Sequence, residues 1–208
     1  MSYQIPALAP EAHHEHSIEI EKSRFIAWLA HAPTPDAMTR LLEQAHLAHP
    51  NARHHCTAFI AGAPNEQNAI GFSDDGEPGG TAGRPMYQVL EGSGVGQIAC
   101  VVIRYFGGIK LGTGGLARAY SRAVLDALER LPTTTFTPRT PRRLKVGFAH
   151  EADVRHWLSG YDVPVDASDY AADGVVLTAG WPQGGAQPPL EELHARLKGA
   201  LEVLEDQG

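Results

Sequence analysis

Residues 97–131 constrain the fold more than any other stretch: QIACVVIRYFGGIKLGTGGLARAYSRAVLDALERL. Residues 98–103 form an unbroken apolar run rich in β-branched side chains, as expected of a strand buried on both faces. Arg104, Tyr105 and Phe106 leave that run, and glycine follows at Gly107, Gly108, Gly112, Gly114 and Gly115, with Thr113 among them. Beyond Gly115 the period changes. Leu116, Tyr120, Val124, Leu128 and Leu131 mark one face of a helix of about four turns. A strand, a glycine loop and a helix in that order leave free N–H groups and a partial positive charge at the helix start, which suits an anion. Arg104, Lys110, Arg118 and Arg122 add basic side chains to a span from Val101 to Leu125 that holds no acidic one. Arg118 and Arg122, four apart, share a helix face. The competing reading is structural: the glycines make only a tight turn and the arginines are only solvated.

A second glycine-rich stretch, residues 71–85, reads GFSDDGEPGGTAGRP. Asp74, Asp75 and Glu77 could hold magnesium or act as acid and base, with Thr81 and Arg84 beside them. Asp-Gly and Pro-Gly are also strong turn dipeptides, and acidic residues there can simply cap backbone N–H groups. A glycine loop of this length is more often a functional surface than a plain connection.

Charge limits the partners. The chain is acidic, with a formal net charge of −7, and the acidity is spread over both halves. Any contact with a polyanion must be a local basic patch working against the global field. Apolar runs are too short to span a bilayer, so no membrane association is expected. No lysine or arginine precedes Lys22 and no apolar segment stands there, so no secretory leader is expected. Two cysteines, Cys56 and Cys100, make no disulfide framework, and a reducing cytoplasm is the expected compartment. His54 and Cys56, with Cys100, could hold a metal, but no CxxC or second histidine pair supports them. Buried cysteines beside a structural histidine are expected, with no metal and no cofactor.

Residues 1–16, which end in His13, His14, Glu15 and His16, read as a disordered or extended tail. From Ser17 the alternation of Ile18 and Ile20 starts a strand; residues 25–30 make another, across a basic corner at Lys22, Ser23 and Arg24. Thr34-Pro35 is a helix start, with threonine as N-cap and proline at the first helical position. Met38, Leu41, Leu42 and Ala45 give that helix its stripe, and Pro50 ends it. A hairpin follows, from Cys56–Ala61 to residues 70–72, then a helix over residues 81–91. These elements place a first domain at residues 17–131. Residues 132–141, PTTTFTPRTP, have the composition of an extended linker. Residues 142–208 then read strand, helix, strand, strand, helix, strand, the split βαβ order of a ferredoxin-like domain. The fold class expected is α+β.

Asp74–Pro85 (DDGEPGGTAGRP) together with Val101–Tyr120 (VVIRYFGGIKLGTGGLARAY) resembles the IMPACT/YigZ family. Ser23-Arg24-Phe25 and the His54-x-Cys56-x-Ala58 pattern resemble its N-terminal signature. The resemblance covers about residues 17–205 and leaves out the histidine-rich tail. It implies a first domain like the second domain of a small-subunit ribosomal protein, a fold shared with elongation factor G and GHMP-type kinases. It also implies a second domain like a C-terminal domain of elongation factor G. For eukaryotic relatives it implies damping of the starvation response, by competition for the activator of a translation-initiation-factor kinase.

The leading expectation is a non-enzymatic, translation-linked binding protein. RNA, the ribosome or a translation-related protein would meet Arg104, Lys110, Arg118, Arg122 and the glycine loop, since phosphate contacts need only positive charge and free N–H groups. An alternative is an enzyme of GHMP-kinase-like fold acting on a phosphate-bearing small molecule, with magnesium on Asp74, Asp75 or Glu77. Against it, the loop lacks Gly-x-x-x-x-Gly-Lys-Ser/Thr, and Leu116-Ala117-Arg118-Ala119 stands where such kinases carry a serine pair. A third reading is a pure protein-interaction adaptor that uses an exposed sheet.

Overall fold

The computed structural model describes residues 2–66 and 69–204. Two compact units divide the chain, Tyr3–Phe136 in one and the residues from Thr137 onward, with Ser2, in the other. Both mix helices with antiparallel sheets, so the class is α+β.

The first unit is built on a five-stranded sheet with β6 (Ile98–Tyr105) at its centre. β3 (Ser23–His31) and β4 (His54–Ile60) flank it, and β2 (His14–Ile20) and β5 (Ile70–Ser73) form the edges. Every pairing is antiparallel. The apolar run of β6 is continuous because both of its faces are covered. Ile98, Cys100 and Val102 join one core with α2 (Gly83–Ser93) and α3 (Gly112–Leu128). Ala99, Val101 and Ile103 join a second core with α1 (Pro35–Ala48). A period of two distributes one apolar strand between two cores. β3 does the same, with Phe25, Ala27 and Leu29 on one side and Ile26, Trp28 and Ala30 on the other.

Helix bounds follow local chemistry with a few differences, α2 running from Gly83 to Ser93 rather than over residues 81–91. Thr34 occupies the N-cap of α1 in extended conformation, but its hydroxyl makes no capping bond. α3 starts at Gly112, not beyond Gly115, so three of the glycines form its first turn. Arg104 and Tyr105 do not leave the central strand; both still pair within it.

The two stretches read as tail and linker both contain strands. β1 (Tyr3–Pro6) pairs antiparallel with β7 (Thr133–Phe136). Ala7 N–H donates to Pro132 O at 2.8 Å and Gly96 N–H to Gln4 O at 2.9 Å, tying the pair to the unit. Threonine favours strands, and a partner distant in sequence turned a linker-like composition into a paired edge. His13 stacks on Trp28 at 3.7 Å and His14 opens β2, so the histidine-rich stretch is held against the sheet.

The second unit runs β8 (Arg139–Val146), a 3₁₀ turn (Phe148–His150), α4 (Glu151–Gly160), β9 (Val165–Ala171), β10 (Gly174–Pro182), α5 (Leu190–Arg196) and β11 (Leu201–Leu204). Its sheet has the order β11-β8-β10-β9, antiparallel throughout. Leu144, Val146, Val175 and Leu177 pack with Val154, Trp157 and Leu158 of α4 and Leu193 of α5. Pro141 lies in β8 itself. It faces Gly180 of β10, whereas pairing with β11 begins only at Arg143, so the missing N–H falls where β8 has one neighbour.

Candidate functional site

Both glycine motifs close on the same end of the central sheet. Asp74 organises the first of them. Its Oδ1 accepts the N–H groups of Ala82 (3.0 Å) and Gly83 (2.8 Å), and its Oδ2 that of Gly80 (2.7 Å), which caps the start of α2. Burial alone would raise its pKa, but the three N–H donors outweigh that and hold it below the usual carboxylate value. Asp75 Oδ2 accepts from His55 N–H at 2.6 Å, and the Asp75 carbonyl accepts from His54 Nδ1–H at 2.8 Å. Thr81 donates its hydroxyl to Pro78 O at 2.6 Å. Gly83 packs so closely on Ser73 that a Cβ would stand 2.7 Å from its backbone. The acidic pair therefore serves the turn: backbone donors take both oxygens of Asp74, in place of the magnesium considered for it, and one oxygen of Asp75. Arg84 is exposed on the first turn of α2, outside the cleft described below.

Glu77 behaves differently. It is buried and accepts from Arg104 Nη1 at 2.6 Å and from the Tyr120 hydroxyl at 2.7 Å. The Cys56 thiol lies 3.3 Å from that hydroxyl and 3.0 Å from Asp74 O. Burial pushes the Cys56 thiol up to about 12, and it also raises Cys100 and Tyr120, so all three stay protonated. Both cysteines are free. Arg104 is only 6% exposed, with its guanidinium 5.5 Å from the Phe25 ring centroid and 5.7 Å from that of Phe106. Arg104, expected as an anion contact, thus stands buried in the wall of the site. Its charge is neutralised inside the wall of the site by a carboxylate from the other glycine motif.

The second motif forms the opposite wall. Gly107 is pressed onto the turn between β2 and β3: a Cβ there would overlap the Lys22 backbone, and its N–H donates to Ser23 Oγ at 3.2 Å. Gly108 and Gly112 take left-handed φ values of 88° and 69°, which swing the loop out before α3 begins. Between the two motifs lies a cleft of about 380 Å³. Arg53, His54, Lys110 and Thr113 line it together with Glu77, Arg104, Phe106 and Gly112. Along α3 runs a second hollow, of about 600 Å³, lined by Lys110, Gly115, Arg118 and Arg122 and bordered by Glu21. Arg118 and Arg122 are exposed, and Arg122 Nε stands 2.8 Å from Asp126 Oδ1. Gly114, exposed in the first turn of α3, lines neither hollow.

Arg53 and Phe106 were not singled out as site residues from the sequence. Arg53 sits in the loop before β4, and no spacing links it to the glycines. Phe106 carried a readable signal, since an aromatic residue between a strand end and a glycine pair has little core to enter. His54, read as structural, does hold the loop, yet its Nε2 also faces the cleft, 3.9 Å from Glu77 Oε2.

The model of the Impact N-terminal domain matches residues 21–128, a span that holds the five-stranded sheet from β3 onward and both glycine motifs. The chain belongs to the IMPACT family. It is 44% identical over 186 residues to IMPACT family member YigZ of Escherichia coli K12, spanning 89% of this chain and 91% of that protein. A Thermus thermophilus protein named IMPACT family member in pol 5′ region is 34% identical over 185 residues, spanning 88% and 98%. A solved crystal structure described as that of a hypothetical protein is 41% identical, with a TM-score of 0.70, covering 100% of this chain and 98% of the other.

Proposed function

We propose that this chain is a translation-linked binding protein that contacts RNA, on or off the ribosome, through the basic surface at the start of α3. One observation carries the reading. Lys110 lines both the cleft and the hollow along α3, so Lys110, Arg118 and Arg122 form one exposed cationic track beside a helix N-terminus. Family membership supports a role in translation control, and we place that role in the cytoplasm. The strand order β11-β8-β10-β9 and the βαββαβ succession support a ferredoxin-like second unit. We read the first unit as the ribosomal-protein-like domain that the family resemblance implies. Contact of this kind needs no cofactor and no catalytic group. The enzyme reading is weaker because Asp74 spends both carboxylate oxygens on the loop and Asp75 one of its own on β4.

Titration of labelled single-stranded RNA against the wild type and the Arg118→Ala/Arg122→Ala variant, each at two salt concentrations, tests this. The variant is expected to bind more weakly and to lose up to ~2 units of salt slope, about one per phosphate contact. Arg118 should account for most of it, because Asp126 partly neutralises Arg122. Equal affinity and equal slope would reject the RNA surface in favour of a protein adaptor.

A further inference from the structure

We infer that the cleft between the two glycine motifs is a site for a single phosphorylated nucleotide, its phosphate at the start of α3 and its base on Phe106. The inference deepens the RNA-binding reading and rests on it only for the source of the nucleotide.

The phosphate end is built from three kinds of donor. The first turn of α3 opens at Gly112 and Thr113 with no side-chain cap and no acidic residue, so its N–H groups are free to meet an anion. Arg53 and Lys110 bring two exposed cations to the same cleft. Arg104 lines it as well, 6% exposed, and its Nε has no partner among the described residues. Glu77 takes Nη1 and leaves the buried Nε without a partner among them, so Arg104 stands in the cleft wall with part of its hydrogen-bonding capacity unused. Three cations against one carboxylate leave the cleft positive within an acidic protein.

The other end is apolar. Phe106 is 49% exposed, and Leu111, Leu116 and Pro78 continue its surface inside the cleft. A phosphate alone would have no use for that surface, whereas a base stacks on an aromatic ring whatever its identity. Arg104 fixes the ring by a cation–π contact, giving the base a rigid platform. A volume of about 380 Å³ lies at the small end of ligand sites, with room for one nucleotide rather than a strand. A free nucleoside monophosphate and the 5′-phosphorylated end of a single-stranded RNA share this chemistry.

The full chain is titrated with adenosine 5′-monophosphate and with one short single-stranded RNA carrying either a 5′-phosphate or a 5′-hydroxyl. Phe106→Ala and Arg53→Ala are the cleft variants, both at exposed positions, with folding checked by thermal unfolding. At least one phosphorylated probe should bind saturably, and Phe106→Ala and Arg53→Ala should each weaken it roughly tenfold. A 5′-phosphate preference with weak monophosphate binding assigns the site to RNA ends. Monophosphate binding as tight as that of the RNA assigns it to free nucleotides. Equal affinity for the two RNAs together with no saturable monophosphate binding overturns the cleft site. In that case a surviving effect of Arg118→Ala/Arg122→Ala leaves the RNA surface standing, so the two failures are told apart.

Discussion

Glu77 and Arg104 meet at 2.6 Å, 27 residues apart in sequence, and their ion pair joins the two glycine motifs across the cleft. Both side chains are nearly fully buried, at 3% and 7% exposure. Tyr120 adds a hydroxyl to the same carboxylate oxygen. The pair thus links the two motifs, and the same guanidinium lies 5.7 Å from the Phe106 ring centroid.

Breaking that pair from one side should be costly. Glu77→Gln keeps the shape but leaves a guanidinium buried without its counter-charge, which costs about 3–5 kcal/mol. The double change Glu77→Leu/Arg104→Met should recover much of the loss, since no unpaired charge remains. Urea unfolding of the wild type and both variants checks this. A single variant within about 1 kcal/mol of the wild type would mean that the pair contributes little to the fold.

Stability should fall in two stages on acidification. Burial lowers the pKa of His55, with His46 adding to it, and burial lowers His13 too. A neutral imidazole is favoured in the fold, so the unfolded chain binds more protons, and stability is lost as pH falls from about 6.5 through the lowered folded values. Asp74, also lowered, contributes stability that is complete above the ordinary carboxylate range and lost below it as its folded pKa is crossed. Unfolding midpoints measured from pH 8 downwards should show both stages, and His55→Gln should shrink the first. Replacing Asp74 by alanine should cost about 2–3 kcal/mol near neutral pH and remove most of the second. A midpoint unchanged between pH 7 and pH 5 would contradict the histidine stage.

The β1–β7 pairing should decide where the first unit can be cut. A fragment ending at Phe136 keeps all four paired positions, Tyr3 to Pro6 against Phe136 to Thr133. One ending at Leu131 leaves β1 without its partner, although it retains every strand of the five-stranded sheet. The shorter fragment should unfold at lower denaturant and lose amide protection at Ile5, which hydrogen exchange reads directly. Identical protection in both fragments would show that β7 adds nothing to the unit.

Much of this molecule was decided by residues close together in sequence. The run 98–103 had to be a strand covered on both faces, because alternate side chains of an uninterrupted apolar segment need two cores. Pro35 set the start of α1, and the element order of the second unit was legible from its periodicity alone. Both glycine motifs were visible as loops, and their combination marked the family. The tertiary structure decided the charges and the edges. Arg104 looked free until Glu77 came to it, Asp74 looked like a metal ligand until Gly80, Ala82 and Gly83 took its oxygens, and Arg53 had no link to the cleft before β4 carried it there. Thr133–Phe136 have a linker's composition and a strand's structure because their partner lies at the other end of the unit. Hydrophobic period is a local property of the chain, whereas the partner of a charge or of an edge strand is chosen by which distant segments meet.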